Sequence, residues 1–391
     1  MSSFYDDLPD FETIACHLGE DPSKQRGAVI PPIYQNSLFT FPNSEARLRR
    51  EENDELFDYT RVSNPTTEIA EVKIAAMEGG EAARCFGSGM GAISAAILSC
   101  VKAGDHVVCV RTAYGPTRQF LTSYLNRFGI STTYVDGRDP QEWENASQAN
   151  TTLFFLESPS TFLMYQQDLH AVAQIAKRLG VSTICDNSWA SPYFQNPLLL
   201  GIDLVVHSAT KYLGGHSDIV AGVAIGNAKR INKLINDEGC LLGAVLDPFA
   251  SWLLLRGLRT LPIRMERHQE NAQMIVNRLS EHPTVERVFY PGHANDAQKE
   301  LTRKQLRGTT GLLSFALKDG SREAAVKTVD GLHNFGIGCS WGGFESLALA
   351  CKVSASDIAS EATGNKWIIR LHIGLENKNE LWSDLCASLR T

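Results

Sequence analysis

Short runs rich in β-branched residues alternate with longer stretches of helical hydrophobic spacing from about residue 70 onward. Strand and helix patterns in this order predict an α/β fold in which a mostly parallel sheet lies between helices. The helical spacing is clearest over Leu169–Leu179, where apolar residues recur at helical intervals. Ligands of such sheets bind at the carboxyl ends of the strands. The predicted strands span 106–110, 132–135, 152–156, 183–185, 204–207 and 220–225.

The sequence is predicted to have three parts. Residues 1–60 contain Pro31, Pro32 and Pro42 and few regular patterns, so we expect an arm with a short helix that contacts a neighbouring subunit. The sheet is expected within 61–257. A helix predicted over 251–261 leads to a smaller α/β domain over 258–391, with strands at 312–317 and 367–373. A length of 391 residues suits two such domains.

Composition excludes several classes of protein. The formal net charge is −7 and 21% of the residues are charged, without the basic excess of a nucleic-acid-binding protein. The sequence has no stretch of roughly 20 apolar residues for a membrane, and its acidic start lacks the features of a secretory signal. The nine cysteines form no CxxC pair and no close Cys/His set suited to zinc. We therefore expect a cytoplasmic protein that acts on small molecules, without nucleic-acid, membrane or metal partners.

A lysine follows the predicted strand 204–207 in the string HSATKYLGGH, residues 207–216. Lys211 stands between two hydroxyl residues and a pair of glycines. A lysine that acts as a nucleophile must lose its charge, which burial or cationic neighbours favour by lowering its pKa. Ser208 and Thr210 are suited to hold the phosphate of a cofactor whose carbonyl carbon bonds to Lys211. On this string alone, a surface lysine in a glycine turn is an equal alternative.

An acidic residue ends the neighbouring strand pattern. The string TICDN, residues 183–187, is apolar up to Asp186, and a parallel sheet brings Asp186 to the same edge as Lys211. An ionised aspartate there keeps the pyridine nitrogen of pyridoxal phosphate protonated, so that the ring can accept electrons. A helix cap or a metal ligand is the alternative role, although further acids or histidines suited to a metal are not evident nearby.

A glycine-rich string, GSGMGA over 87–92, precedes a helical run. Small residues at a helix start let backbone amides close on a phosphate, and the helix dipole favours the anion. Gly87, Gly89 and Gly91 do not have the spacing of a dinucleotide fingerprint, and the next strand ends without an acid to hold a ribose. The string therefore predicts a phosphate site of another kind.

These strings together resemble the Cys/Met-metabolism family of pyridoxal-phosphate enzymes. The resemblance covers nearly the whole chain and rests on eight strings in the family's order. It implies the fold of aspartate aminotransferase, fold type I, with a mostly parallel seven-stranded sheet between helices and a smaller α/β C-terminal domain. The strings are YTRVSNPT (59–66), SGM (88–90), AYG (113–115), ESP (157–159), DN (186–187), SATKYL (208–213), RGLRT (256–260) and RLHIG (370–374).

The resemblance implies roles for individual residues at the cofactor. Lys211 would hold pyridoxal phosphate as a Schiff base and act as general base, and Asp186 would pair with the ring nitrogen. Tyr114 would stack on the ring and help to activate the substrate amine. The residues implied at the cofactor phosphate are Ser88, Gly89, Met90, Ser208, Thr210 and, from the adjacent subunit, Tyr59 and Arg61.

Substrate contacts are implied in the same way. Arg370 would bind the substrate carboxylate with its planar fork, and Ser340 and Trp341 would wall the pocket beside it. Tyr59 would join them from the adjacent subunit, so the active unit is expected to be at least a dimer. The family implies a homotetramer made of two active dimers. A surface salt bridge is the alternative role for Arg370.

The string GCSWGGFES, residues 338–346, resembles the bacterial cystathionine β-lyase branch of the family. The strings LHIGLE (371–376) and GHSD (215–218) point the same way, and Pro116 stands where methionine γ-lyases place a cysteine. The expected reaction is therefore β-elimination of L-cystathionine, which gives homocysteine, pyruvate and ammonia in methionine biosynthesis.

Four positions around the expected pocket depart from that branch: Val62, Gln119, Thr161 and Cys339. They leave open which group the pocket recognises beyond the sulfur. A cystathionine γ-synthase or γ-lyase, or a broader cysteine-S-conjugate β-lyase, is therefore an alternative within the family. A cofactor-binding regulatory protein without turnover is an alternative of another class.

Overall fold

The computed structural model describes residues 10–49, 57–353 and 366–390, and the structural statements below concern these residues. They form a seven-stranded and a five-stranded sheet, each with its own apolar core. The predicted boundary at 257/258 falls inside a continuous helix, Pro248–Arg259. The placement of that boundary stays a prediction.

The larger sheet has its strands in the order β1-β7-β6-β5-β4-β2-β3, where β1 is Ala82–Phe86, β2 His106–Val110, β3 Ser131–Val135, β4 Thr151–Glu157, β5 Ser182–Asp186, β6 Leu204–His207 and β7 Gly222–Gly226. β7 runs antiparallel to its neighbours β1 and β6, and the remaining pairs are parallel. The central strands are almost fully buried, which explains why they are continuous apolar runs in the sequence. The predicted mostly parallel sheet is confirmed.

Eleven α-helices accompany this sheet in the described residues. They are α1 (Phe11–His17), α2 (Ser44–Arg49), α3 (Pro65–Glu78), α4 (Gly89–Leu98), α5 (Gly115–Gln119), α6 (Gln141–Asn145), α7 (Leu169–Leu179), α8 (Ser191–Phe194), α9 (Ala228–Leu234), α10 (Cys240–Leu242) and α11 (Pro248–Arg259). In the arm, Glu20 follows α1 and accepts hydrogen bonds from the buried Lys73 of α3 at 2.6 Å and from Arg259 of α11 at 2.9 Å. These contacts fasten the described start of the arm to the larger domain.

Helix α7 has the bounds that the sequence predicts, because its ends are marked chemically. Asp168 caps it by accepting a hydrogen bond from the Ala171 N–H at 3.0 Å. Gly180 ends it with a φ of +70°, a conformation that glycine adopts without a Cβ penalty. Its buried side chains, at helical spacing, are Leu169, Val172, Ala173, Ile175 and Ala176.

The smaller C-terminal domain is an α/β unit. Its sheet has the order β10-β11-β12-β9-β8 and its helices follow the same chain numbering: β8 is Val285–Phe289, β9 Leu312–Leu317, β10 Gly336–Ile337, β11 Leu347–Val353, β12 Lys366–His372, α12 Leu261–Glu281, α13 Lys299–Gln305, α14 Arg322–Asp330 and α15 Lys378–Ser388. A separate apolar cluster joins Leu163 and Tyr165 of the larger domain to Ala316, Cys351 and Ile368 of this sheet. The two domains therefore meet across β9, β11 and β12, and β12 carries Arg370.

The sequence predicted the strand bounds to within two residues for β2 to β7 and missed β1. Strand β1 pairs with β7 at the edge of the sheet, and its string AARCF lacks the β-branched residues on which the prediction relied. In the part of the chain that the structure describes, no helix combines the length and apolar character needed to cross a membrane.

Candidate active site

A cavity of about 550 Å³ opens where β4 and β5 end. It brings together most of the residues that the sequence singled out, from positions 88 to 370. Tyr59 and Arg61 lie elsewhere. The predicted site residues that line the cavity are Ser88, Gly89, Met90, Tyr114, Asp186, Ser208, Thr210, Lys211, Ser340, Trp341 and Arg370.

Lys211 lies in the turn that follows β6, with its amine directed at the smaller domain. Its Nζ donates a hydrogen bond to Ser340 Oγ at 2.8 Å and lies 5.4 Å from the centre of the Trp341 ring. Burial, and then the charge of Arg370, lower the pKa of Lys211 below its usual value. A lysine in this setting loses its proton more readily than one in water, which suits a nucleophile or a base. A surface role for this lysine is excluded.

Two buried carboxyl groups lie side by side at the edge of the sheet, because Glu157 and Asp186 are paired across β4 and β5. Asp186 accepts a hydrogen bond from the Ser188 N–H at 2.9 Å. Burial raises the pKa of Asp186, and burial together with the charge of Asp186 raises the pKa of Glu157 to about 8. A poorly solvated carboxylate gains most from a cationic partner, so this edge favours a protonated ring nitrogen.

A narrow cradle lies between the start of α4 and the turn after β6. Ser88 caps α4 by accepting a hydrogen bond from the Gly91 N–H at 3.0 Å. A Cβ atom on Gly89 would stand 2.9 Å from Ser208 Oγ, closer than real contacts allow. The first amides of a helix have no acceptor within the helix and favour an anion. Only glycine therefore leaves room here for a phosphate to reach those amides.

The Thr210 hydroxyl group, predicted to bind the phosphate, also has hydrogen-bond partners within the chain. Its hydroxyl group donates to the Ala221 carbonyl at 3.1 Å and accepts from the Ala221 N–H at 3.0 Å. The hydroxyl proton is thus already used within the chain. A phosphate would have to compete with the Ala221 carbonyl for it.

Tyr114 lies over the cavity with about half of its surface exposed. Its backbone N–H donates to Glu157 Oε2 at 2.7 Å, and the Thr161 N–H donates to Glu157 Oε1 at 2.6 Å. Burial raises the pKa of the Tyr114 phenol, so it is a neutral hydrogen-bond donor near pH 7. Glu157 therefore holds both the tyrosine and the loop on the opposite side of the cavity.

Arg370 is buried on β12 and directed into the cavity. Its Nη2 donates to the Ser340 carbonyl at 3.3 Å, and its guanidinium carbon lies 5.6 Å from the Phe162 ring centre. Among the described residues no carboxylate forms a salt bridge with it. A surface salt bridge is therefore not its role, and the guanidinium group is available for an anionic ligand.

Tyr59 and Arg61 line a second, open cavity of about 500 Å³ formed by the arm and the start of α11. There Arg61 Nη1 donates to the Cys240 carbonyl at 2.6 Å, and its guanidinium carbon lies 5.7 Å from the Tyr59 ring centre. Within a single chain they do not reach the Lys211 cavity. Their expected service to a neighbouring subunit stays a prediction.

The positions that depart from the β-lyase branch divide into two sets. Thr161 and Cys339 line the cavity, whereas Val62 and Gln119 do not line it within one chain. The sequence missed site residues as well: Glu157 was noted only within the string ESP, and Phe162, Ser188 and Trp189 were not singled out. Their chain position, directly after β4 and β5, was the signal that could have found them.

The residues present fit pyridoxal phosphate. The glycine cradle at α4 is sized for a phosphate, and the lysine and the buried acid at the sheet edge suit a carbonyl carbon and a ring nitrogen. The described residues include no group of three or more His, Cys, Asp or Glu side chains suited to a metal ion. A lysine and an acid placed in this way, on a seven-stranded mostly parallel sheet, define the fold type I class of pyridoxal-phosphate enzymes.

The chain belongs to the family described as Cys/Met metabolism PLP-dependent enzymes, whose model matches residues 12–390. It is 42% identical to the L-methionine gamma-lyase of Porphyromonas gingivalis, over 92% of each chain. It is 38% identical to the cystathionine gamma-lyase of Bacillus subtilis, over 97% of this chain and 98% of the relative. It is thus a pyridoxal-phosphate-dependent enzyme of sulfur amino-acid metabolism.

Two solved structures share the fold. The metB protein of Corynebacterium glutamicum has a TM-score of 0.90 at 32% identity and covers 98% of each chain. A putative O-acetylhomoserine (thiol)-lyase, metY, of Campylobacter jejuni has a TM-score of 0.90 at 30% identity and covers 98% of this chain and all of that one. The second structure contains a pyridoxyl-lysine phosphate. The expected fold type I architecture and the expected cofactor are confirmed.

Proposed function

We propose that this enzyme is a carbon-sulfur lyase that cleaves thioether amino acids, with γ-elimination as its main reaction. The observation that carries the lyase assignment is the partly buried Lys211 amine, which lines one cavity together with Asp186 and Arg370. The preference for γ-elimination is supported by the relatives, which are named methionine gamma-lyases and a cystathionine gamma-lyase at 38 to 42% identity. These names favour γ-elimination over the β-elimination expected from the sequence.

Four groups of this chain hold the cofactor in the proposal. The start of α4 at Ser88, Gly89 and Met90 binds the phosphate, together with Ser208 and with Thr210 where its hydroxyl exchanges partners. Asp186 faces the ring nitrogen, Tyr114 covers the ring, and Lys211 bonds to the carbonyl carbon. When bound, pyridoxal phosphate stores the electron pair released at the substrate α carbon.

Lys211 moves the proton in the proposed reaction. Because burial lowers its pKa, the freed amine accepts a proton from the substrate α carbon. The hydrogen bond to Ser340 Oγ holds the amine in place between transfers. In γ-elimination Lys211 would first pass the α proton to the carbonyl carbon of the cofactor. The amine, neutral again, would then take a proton from the β carbon, after which the sulfur leaves from the γ carbon as the thiol. The neutral Tyr114 phenol is suited to donate a proton to the departing sulfur.

Arg370 binds the substrate carboxylate in the proposal, since its buried guanidinium carries two parallel donors. Ser340 and Trp341 close the cavity next to it, and Tyr59 of an adjacent subunit completes the wall. We propose a cytoplasmic homotetramer of two active dimers. Large exposed apolar side chains support an assembly of this kind. On the arm and near α10 and α11 they include Val29, Ile30, Leu241, Leu242 and Phe249.

A second candidate is β-elimination of cystathionine. The observation that favours it is the placement of Trp341, whose ring lies 5.4 Å from Lys211 Nζ and narrows the cavity there. Pro116 also lines the cavity, at the position where the sequence lacks the cysteine of methionine γ-lyases. A narrow cavity at this point favours a substrate whose sulfur is on the β carbon rather than on the γ carbon.

The products of cystathionine separate the two candidates. γ-Elimination gives cysteine, 2-oxobutyrate and ammonia, whereas β-elimination gives homocysteine, pyruvate and ammonia. Methionine is the second substrate, and only γ-elimination converts it to methanethiol and 2-oxobutyrate. Pyruvate with homocysteine, and no reaction with methionine, would overturn the preference for γ-elimination.

The Lys211 assignment has its own test. Protein loaded with cofactor should show a visible absorption band, and borohydride should fix the cofactor covalently on the peptide that contains Lys211. Lys211→Ala should lose both, while Lys177→Ala, a change on the exposed face of α7, should keep both. A cofactor-loaded protein that turns over none of the thioethers would instead support the regulatory alternative.

A further inference from the structure

Three strings that lie far apart in the sequence meet at the loop 340–346, which carries Ser340 and Trp341. The Ser217 hydroxyl, in the string GHSD, donates to Glu345 Oε1 at 2.6 Å. The Gly342 N–H donates to Nε2 of His372, in the string LHIGLE, at 3.1 Å. Each contact joins the loop to a different element. The loop is therefore held from both domains at once.

The same loop rests directly on the backbone of the catalytic turn. Gly342 has a φ of +85°, and a Cβ atom there would stand 2.9 Å from Lys211 Cα and 2.7 Å from Tyr212 N. The Trp341 ring packs on Tyr212, with 5.5 Å between the ring centres. A shift of Gly342 would thus move Trp341 relative to the Lys211 amine.

His372 contacts the loop at two backbone groups, because its Nε2 lies 3.1 Å from both the Gly342 nitrogen and the Gly343 carbonyl oxygen. A neutral ring accepts from the Gly342 N–H in one tautomer and donates to the Gly343 carbonyl in the other, so Nε2 is bonded to the loop backbone in both. Burial, and then the neighbouring His268, hold the pKa of His372 well below its usual range, which keeps the ring neutral. Within the described part of the chain, His372 Nδ1 and His268 Nε2 have no hydrogen-bond partner. The two rings lie 5.1 Å apart, and His268 Nδ1 lies 2.8 Å from the Ile373 carbonyl.

His372 is also tied to the carboxylate site. It follows Arg370 by two positions on β12, so both side chains lie on one face of the strand. Arg370 in turn donates to the Ser340 carbonyl. β12 therefore positions both Arg370, the proposed partner of the substrate carboxylate, and the wall at Ser340 beside it.

We propose that His372 is a positioning residue that, together with the Ser217 to Glu345 contact, clasps the loop 340–346. The clasp sets the place of Trp341 against Lys211, and thereby the length of the thioether side chain that the cavity accepts. This inference rests on the proposed lyase function. It adds a determinant of specificity that does not itself touch substrate or cofactor.

Two variants test the clasp, and each removes one of its two contacts with the loop 340–346. His372→Phe keeps a ring but removes the Nε2 atom that contacts Gly342 and Gly343, and Ser217→Ala removes the exposed hydrogen bond to Glu345. His372→Gln keeps an amide near the Nε2 position that can both accept and donate, and it serves as the rescue variant. His170→Gln, on the exposed face of α7, is the matched control. Circular dichroism and cofactor content establish that each variant is folded and loaded.

Two readouts follow. The first is the ratio of kcat/KM for cystathionine to that for methionine, which should change about two- to tenfold in His372→Phe and Ser217→Ala, the range expected for one lost hydrogen bond. The second is the pH midpoint of the visible cofactor band, which reports the Lys211 environment without turnover. It should shift in His372→Phe. His372→Gln and His170→Gln should stay near the wild type in both readouts.

The outcomes separate the two proposals. If folded His372→Phe and Ser217→Ala keep both the wild-type ratio and the wild-type midpoint, the clasp is wrong. If His372→Phe does not fold, an unchanged ratio in Ser217→Ala overturns the clasp by itself. If wild-type enzyme cleaves no thioether, the proposed function fails, and a shifted midpoint in His372→Phe still supports the clasp.

Discussion

Replacing Arg370 by lysine tests how the cavity recognises its substrate. The change keeps the positive charge on β12 but removes the planar pair of donors, because an ammonium group is a point charge. It also removes the bond from Nη2 to the Ser340 carbonyl and the contact with the Phe162 ring. We expect Arg370→Lys to fold normally and to bind amino-acid substrates more weakly.

The size of the effect follows from the contacts. A hydrogen bond to a charged group contributes about 1.5–3 kcal/mol, and lysine is expected to make one such bond to the carboxylate where arginine makes two. The loss of one bond corresponds to a fall in kcat/KM of about 10- to 150-fold for methionine and cystathionine. Steady-state kinetics measure it, and titration of the cofactor band gives the accompanying loss of affinity.

A substrate analogue without the carboxylate is the control. The amine 3-(methylthio)propylamine lacks only that group of methionine, so wild-type enzyme and Arg370→Lys should bind it equally. An equal loss of affinity for the amine and for methionine would mean that Arg370 acts on the cavity as a whole. A change of less than twofold for both would refute the assigned contact.

Three further predictions concern the cradle, a buried pair and the effect of pH. Gly89→Ala brings a Cβ to 2.9 Å from Ser208 Oγ, so the affinity for pyridoxal phosphate, measured by dialysis and absorbance, should fall about ten- to a hundredfold while the apo-protein stays folded. Glu78→Ala leaves the buried His207 ring without its 2.8 Å partner, and chemical denaturation should show a loss of about 1–3 kcal/mol, against no clear change for the exposed Glu281→Ala. Burial lowers the pKa of His268 to about 4, so the unfolded chain takes up this proton first as the pH falls. The contribution of His268 to stability should therefore be present above pH 6.5 and decline by about 3 kcal/mol towards pH 4. The free energy of unfolding should therefore fall more steeply with decreasing pH in the wild type than in His268→Gln. Parallel plots of unfolding free energy against pH for the two proteins would contradict this prediction.

The sequence was sufficient to predict the sheet and the residues at its carboxyl edge, because both depend on short strings. Buried parallel strands are continuous apolar runs, and the residues that follow them, such as Asp186 and Lys211, necessarily meet at one edge. The edge strand β1 was missed because its string AARCF is weakly β-forming and its pairing with β7 is determined by the rest of the sheet.

The hydrogen-bond partners of the site residues could not be predicted from the sequence. No local string indicates that the Glu157 carboxyl group accepts hydrogen bonds from the backbone N–H groups of Tyr114 and Thr161. Nor does any string indicate that the Thr210 hydroxyl is hydrogen-bonded to the Ala221 backbone. These contacts join elements separated by 4 to 43 positions and depend on how the loops fold back over the sheet. The pKa shifts were out of reach for the same reason, since burial is a property of the fold.

The choice between γ- and β-elimination depends on contacts of this long-range kind. The proposed roles of Lys211 and Asp186 are the same in both reactions, so those residues carry no information about which carbon loses its sulfur. In our proposal the part of the cavity that decides is the Trp341 wall, and its position depends on Gly342, which His372 contacts from 30 positions away. The identity of 42% to a γ-lyase is counted over 92% of the chain and gives this one contact no special weight. A chain can therefore be similar to γ-lyases along its length and still have a wall that favours sulfur on the β carbon, one bond nearer to the α carbon. The ratio of the two elimination products in His372→Phe measures how far the wall decides.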